Sequence, residues 1–450
     1  MAKLQKCDLT HVLEVVPNAD WRRNWKVCAN MTIMFLKTSK RMRRLVIFMR
    51  LPVVLRANRV FWESCHNGTA KTKIHGMLNN LNNFAKNTSI YHLELNDCFL
   101  KTKIHRLSKI LQCCEYIEYL NLSNNSLDEL DEKEFSYLIE ALKKCKSLKH
   151  LYLSCTFRKS MLNILKEMLT VITNIESLDL SIGQISEALD DLRPLNNLVN
   201  LNLNNNHLGK EAKKIPSILL NFTALCVLKL RHNEINDEHA SQFSKLTGLT
   251  SLTNIDLSDN NISGIVAASI SFKNLIHLNL NKNQIGSIGT EDFGKALGQC
   301  IQIRSLELST NQIDKNGIMN IARGLQHLTN LTCLNLMENQ IGPEGSKSFF
   351  GIFGLLPKLS NLQLSSNNLG TKGIEILASI LGQCTSLVLL KISNNQIGHD
   401  GFVSLSGVLG FHTSLKTLDI RYNQCSYDSA NIITKAQMRC PSLKHINHEY

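Results

Sequence analysis

The 450 residues contain nothing like the run of ~20 apolar residues that a membrane-spanning helix needs. The longest candidate, Leu45 to Leu55, is short and is broken by Arg50, so no membrane span is expected. The first residues offer no apolar secretory core either, because Cys7, Asp8 and His11 interrupt the stretch after Lys6, and a reducing compartment is the expectation. The 14 cysteines form no Cys-x-x-Cys pair, zinc-like quartet or dense disulfide framework, which argues against a metal site and against a stapled secreted domain. There is no Walker A motif, no dinucleotide fingerprint and no His-Glu-x-x-His. Catalysis, a cofactor and a metal are therefore not expected. With 43% hydrophobic and 19% charged residues, disorder and collagen are excluded, and the length allows either several domains or one long repeat array.

The charge is unevenly placed. Residues 1–89 hold 16 Lys/Arg against 4 Asp/Glu, a net of +12, which leaves 34 against 33 for residues 90–450. An electrostatic partner would meet the first part of the chain, and the remainder is nearly neutral.

From Ile90 onward the sequence repeats a unit Leu-x-x-Leu-x-Leu-x-x-Asn-x-Ile. It runs through Leu198-Leu201-Leu203-Asn206-Leu208, Ile303-Leu306-Leu308-Asn311-Ile313 and Leu387-Leu390-Ile392-Asn395-Ile397, among others. First positions fall at 90, 117, 148, 175, 198, 225, 252, 275, 303, 331, 359, 387, 415 and 443, giving thirteen repeats and a closing fragment. Apolar residues two apart leave a short strand on the same side. The Asn amide can bond backbone that would otherwise be buried unpaired as the chain leaves the strand. A single unit cannot bury its apolar face alone, so the units must stack. After the Asn, many units continue Ile/Leu-Gly-x-x-Gly, as at Ile341-Gly342-Pro343-Glu344-Gly345, and then show a helical pattern such as Ile374, Leu377, Ile380 and Leu381. Two intervals of only 23 residues, 175 to 198 and 252 to 275, leave room for a turn or 3₁₀ segment in place of a helix, and Thr156 replaces the Asn in the irregular repeat at Leu148.

This combination of unit length and Gly-x-x-Gly turn resembles the ribonuclease-inhibitor type of leucine-rich repeat, over about four-fifths of the chain. The resemblance implies an α/β fold, a right-handed horseshoe solenoid with a parallel sheet on its concave face and helices outside. Cys114, Cys145, Cys300, Cys384 and Cys440 each lie three residues before the first Leu of a repeat, where that family often carries a small buried thiol.

In this register the concave face carries a mixed polar row that includes Tyr152, Lys229, Glu307 and Lys391, with Tyr119, His92, His150 and His277 on one side and Arg231, Arg421 and Tyr422 on the other. Tyr and Arg are enriched among interface hot spots, so Tyr119, Tyr152, Arg231, Arg421 and Tyr422 are the expected anchors for a protein ligand. Lys229, His277, Glu307 and Lys391 are expected to add charge. The three histidines come from separated repeats without an adjacent nucleophile, which points to solvated side chains and not to catalysis.

The domain boundary is set at 89/90, giving a basic helical region over 1–89 and a repeat array over 90–450. Residues 72–86, with Ile74, Met77, Leu78, Leu81 and Phe84 on one face, read as a helix capping the open end of the array. Residues 9–62 read as short amphipathic helices whose spacing resembles an F-box. That resemblance implies a substrate receptor of a cullin ubiquitin ligase, with Leu9, Val12, Leu13, Val16, Pro17, Leu36 and Met42 contacting a Skp1-type adaptor. The opening at Leu9-Thr10, where an F-box has Leu-Pro, departs from the pattern. The cluster Lys40, Arg41, Arg43 and Arg44 is a weak signal for phosphate on nucleic acid or an anionic membrane, or for a nuclear address. Activators of the Ran GTPase share the repeat class but carry a strongly acidic tail, which Asn447 to Tyr450 does not supply. The resulting expectation is a cytoplasmic, non-enzymatic interaction scaffold. The abundance of Asn, Ile and Lys would also suit a host-directed effector acting in the host cytosol.

Overall fold

Each repeat closes the same pair of apolar strand residues over its core: Leu120 with Leu122, Leu306 with Leu308 and Leu390 with Ile392 are fully buried. The computed structural model describes residues 53–56, 90–98, 100–246, 248–264, 273–424 and 426–448. They belong to two compact units, Met1–Leu198 and Val199–Tyr450.

In the first unit, strands β1 (Val53–Arg56), β2 (Ile90–Glu94), β3 (Tyr119–Asn121), β4 (His150–Tyr152) and β5 (Ser177–Asp179) pair in parallel, each with the next. Leu93, Leu120, Leu151 and Leu178 stand side by side in the register. The chain returns between strands through helices α1 (Ile104–Leu111), α2 (Glu132–Leu142) and α3 (Lys159–Val171), which bury Leu107, Leu138 and Leu165. A reciprocal cap starts α2: the Asp131 carboxylate accepts from the Glu134 amide at 2.7 Å, and the Glu134 carboxylate accepts from the Asp131 amide at 3.1 Å. After β5 the return is a 3₁₀ segment, Ser186–Leu192, as the 23-residue spacing predicts.

One strand departs from the sequence expectation. Residues 53–56 fall inside the stretch read as helical, yet they form β1 and extend the sheet one strand before Ile90. The β-branched pair Val53-Val54 favours a strand, and the pairing covers what would otherwise be the bare edge of β2. The rest of the F-box-like segment and the cap helix over 72–86 lie outside the described residues.

In the second unit, β6 (Asn200–Asn202), β7 (Val227–Lys229), β8 (Asn254–Asp256), β9 (His277–Asn279), β10 (Ser305–Glu307), β11 (Cys333–Asn335), β12 (Asn361–Gln363), β13 (Leu389–Lys391), β14 (Thr417–Asp419) and β15 (His445–Asn447) continue the parallel pattern without a slip in register. The returns begin short. A 3₁₀ segment, Gly209–Lys214, leads into α4 (Ile215–Leu219) with Pro216 in its first turn, and α5 (Asp237–Ser241) passes into a second 3₁₀ segment, Gln242–Lys245. These repeats lack Gly-x-x-Gly, and the expected full helix is absent from both. Longer helices follow: α6 (Thr290–Leu297), α7 (Lys315–Leu325), α8 (Gly342–Phe350), α9 (Gly370–Leu381), α10 (Gly398–Leu409) and α11 (Tyr427–Arg439). Three of them begin at the first Gly of the turn motif, where φ is positive, +66° at Gly398 for example. The second Gly supplies room: a Cβ on Gly345 would lie 2.8 Å from Ile318 Cγ2.

The Asn ladder forms as its spacing predicts and is continuous in the second unit, where Asn206, Asn233, Asn260, Asn283, Asn311, Asn339, Asn367, Asn395 and Asn423 are all buried. Asn339 shows the bonding. Its Nδ2 donates to the carbonyls of Leu336 in its own repeat and Leu308 in the preceding one, each at 3.0 Å, and its Oδ1 accepts from the amides of Asn311 at 3.1 Å and Ile313 at 3.0 Å. Among the described residues of the first unit only Asn125 plays this part, donating to Leu95 and Leu122 and accepting from Cys98.

The backbones of α6 and α7 approach closely: a Cβ on Gly324 would sit 2.1 Å from the Gly294 carbonyl oxygen. The cysteines before each repeat are packing groups, as expected. Cys114 and Cys145 donate to the carbonyls of Ile110 and Ala141 one turn back, and burial pushes both thiols up to about 12, which removes them from thiolate chemistry at neutral pH.

Replacing Asn339 by Leu keeps most of the volume but strands four buried backbone groups, each costing about 1–3 kcal/mol. The expected loss in urea unfolding is several kcal/mol, with faster amide exchange in residues 305–313, while Gln363→Ala on the sheet surface changes stability by less than about 0.5 kcal/mol. Two glycines should respond oppositely to alanine. Gly324→Ala forces α6 and α7 apart and should destabilise by about 1–3 kcal/mol. Gly407→Ala, inside α10 with nothing within 4 Å of its Cβ, should stabilise by about 0.5–1 kcal/mol, and paired thermal melts decide both.

Candidate functional site

With the central Leu or Ile of each strand turned into the core, the residues on either side face the opposite surface of the sheet. In the first unit this open face has two rows in lateral register: His92, Tyr119, His150 and Ser177, and beside them Glu94, Asn121, Tyr152 and Asp179. Most are half-buried. His92 stacks flat on Tyr119, with ring centroids 3.9 Å apart and planes 3° from parallel. Tyr119 lies 5.2 Å from the Tyr152 ring and 6.0 Å from His150, whose Nδ1 is 2.9 Å from Ser177 Oγ. The Tyr152 phenol is held above its ordinary pKa, first by burial and then by the charges of Asp179 and Glu94, against a hydrogen bond with Ser177. Two of the three tyrosines expected as anchors, Tyr119 and Tyr152, are thus brought into one aromatic cluster.

The anchors of the second unit are more dispersed. Lys229 and His277 are exposed at opposite ends of their short strands, and Lys391 is half-buried. Glu307 accepts from Asn335 Nδ2 at 2.7 Å and from Asn281 Nδ2 at 3.4 Å. The two arginines are already engaged. Arg231 reaches Asp259 at 3.7 Å, and Arg421 grips Asp419 with two bonds of 2.9 and 2.8 Å. Burial works against the charged form of Asp419, which is 3% exposed, but the hydrogen bonds and charge of Arg421, aided by Lys391, hold its pKa below the usual carboxylate range. Tyr422, at φ +57°, stays 63% exposed.

A cluster beside the ladder was not singled out from the sequence. His207 packs edge-on against His232 at 5.0 Å and approaches Glu234 at 3.1 Å, while His232 approaches Asp259 at 3.2 Å. His207 and Glu234 each follow a ladder Asn 27 residues apart, and that spacing was the available signal. Among the described residues no group of three or more His, Cys, Asp or Glu is placed to hold a metal ion, and no helix is long and apolar enough to cross a membrane. Leu9, Val12, Leu13, Val16, Pro17, Leu36 and Met42, with the basic cluster Lys40, Arg41, Arg43 and Arg44, lie outside the described residues.

Comparison with known proteins bears on the repeat itself. A leucine-rich repeat family model matches residues 273–294, 299–322, 327–350, 356–378 and 383–406, and a second one matches 116–138 and 251–272. Both describe leucine-rich repeats in general and do not distinguish the ribonuclease-inhibitor type. No curated protein matches the sequence. Among solved structures, an internalin (inlF) from Listeria monocytogenes is similar at 22% identity and a TM-score of 0.47, over 76% of this chain and 88% of the other. TLR13, in its complex with ssRNA13, is similar at 19% identity and a TM-score of 0.44, over 80% of this chain and 51% of the other. The matched repeats, the strand pairs they place in register and the buried asparagines between them make this chain a leucine-rich repeat protein.

Proposed function

We propose that the protein is a non-enzymatic interaction scaffold that binds a protein partner on the open face of its sheet. The observation that carries this reading is a division of labour within each strand. The middle residue is a buried Leu or Ile from β3 to β14, while the flanking residues change chemistry from strand to strand and face outward: tyrosine and histidine, then lysine, asparagine, glutamate and aspartate. A backbone fixed by the core and the ladder presents these side chains with little ordering entropy left to lose, so partner binding is not taxed by folding. In this reading Tyr119, Tyr152, Lys229, His277, Glu307, Lys391 and Tyr422 make the contacts, and Arg231 and Arg421 shape the surface through their pairing with Asp259 and Asp419.

The test is capture of partners by the full chain, quantified by mass spectrometry. A Lys229→Glu/Lys391→Glu variant, or Tyr119→Ala, should reduce captured partner about tenfold or more if either site is a hot spot. Lys372→Glu on the exposed helical side should leave capture unchanged. A partner retained equally by all the sheet-face variants, and lost on the helical-side change, would place recognition on the other surface.

A further inference from the structure

The first unit's open face combines features that favour one kind of guest. Tyr119 and Tyr152 are tilted 39° to each other with centroids 5.2 Å apart; His92 covers one face of Tyr119 and lies 3.8 Å from Glu94, and His150 borders Tyr119 on the other neighbouring strand. Glu94 and Asp179 stand on β2 and β5 in the row that contains Tyr152, so the rings lie between two carboxylates roughly 14 Å apart at ordinary strand spacing. Both carboxylates act electrostatically on the Tyr152 phenol. None of the eight residues in the two rows is Lys or Arg. Half-buried aromatic rings with acid at their flanks attract a cation, and the same acids repel a phosphate backbone.

We propose that this face is the recognition site for an arginine side chain presented by a partner protein, with the guanidinium lying on the Tyr119–Tyr152 ring pair and its N–H groups directed to Asp179 or Glu94. Arginine fits better than lysine because its planar guanidinium can stack on a ring while its fork of donors meets a carboxylate, whereas an ammonium offers only a hydrated point charge. The inference rests on the reading of the open sheet face as the partner surface and names the chemistry of one part of it. Asp179 is suited to the role, since its Oδ1 is fixed by the Ser181 amide at 2.9 Å, which orients the carboxylate before a guest arrives.

The experiment uses the full chain and a fluorescein-labelled peptide, Gly-Gly-Arg-Gly-Gly-Arg-Gly-Gly, with counterparts carrying lysine or citrulline in place of arginine, followed by anisotropy at low and physiological salt. The arginine peptide should bind several-fold tighter than the lysine peptide and more than tenfold tighter than citrulline, which keeps the shape but not the charge. Tyr119→Leu/Tyr152→Leu should weaken binding about three- to tenfold, and Tyr119→Phe/Tyr152→Phe should retain it. Should the leucine variant fail to fold, the surface pair Glu94→Gln/Asp179→Asn, in which Asn keeps the acceptor for Ser181, should still weaken arginine binding about threefold and flatten its salt dependence. Equal binding of citrulline, no saturation by the arginine peptide, or indifference to the carboxylate pair overturns the proposal. Equal binding of lysine overturns the guanidinium assignment. If the peptide fails while Lys229→Glu/Lys391→Glu still abolishes partner capture, the arginine site falls and the scaffold reading stands.

Discussion

The bond between a buried asparagine amide and the backbone of the adjoining repeat is the interaction on which the rest of this structure depends. A chain that turns out of a three-residue strand carries carbonyls and amides into the core, where leaving them unpaired is costly. Asn is short enough to reach a carbonyl just beyond the strand of its own repeat and has a second N–H for the repeat before it, while its oxygen takes amides from that preceding repeat. Each side chain therefore pairs backbone within its repeat and locks the distance to the next. Where the first unit departs from the pattern, other groups serve: the Phe157 amide donates to the Gly183 carbonyl at 3.2 Å, and the hydroxyls of Ser154 and Ser181 meet at 2.8 Å.

The helical side of each unit adapts to that fixed spacing. Successive returns must lie close without clashing, and the chain achieves this with small groups at the contacts: glycine where α6 meets α7, and buried thiols at the ends of returns. Short 3₁₀ segments take the place of helices where fewer residues separate strands or where Pro216 interrupts. The open face can then vary more freely, because the buried leucines and the asparagine ladder lie on the other side of the strands or beyond their ends. This is the usual relation between scaffold and recognition in repeat proteins, in which the core is repetitive and the surface carries the information.

Most of the fold was legible in the sequence, since leucines at fixed offsets mark strand and core and the Asn eight residues on marks the buried turn. The burial of Cys114, Cys145, Cys300, Cys384 and Cys440 and the 3₁₀ segment after β5 were equally legible. Residues 53–56 were not, because a short Val-Val-Leu run is ambiguous between strand and helix until a neighbouring edge is there to pair with it. The candidate surface was only half legible. Register placed Tyr119 beside His92 and Tyr152 beside Asp179, but not the flat stacking of the first pair or the Arg421 grip on Asp419, both of which depend on rotamers that the repeat does not dictate.

From Ile90 onward, the sequence by itself determined which residues are strand, which are buried and which share a face, because those follow from the period of apolar side chains along a covalent chain. Only the tertiary structure decided which surface groups are already bound to one another, how the Tyr119 and Tyr152 rings meet, and why Gly324 must have no side chain. Most of these depend on distances of a few ångströms between residues about 27 to 33 positions apart, and such distances exist only once the repeats have packed.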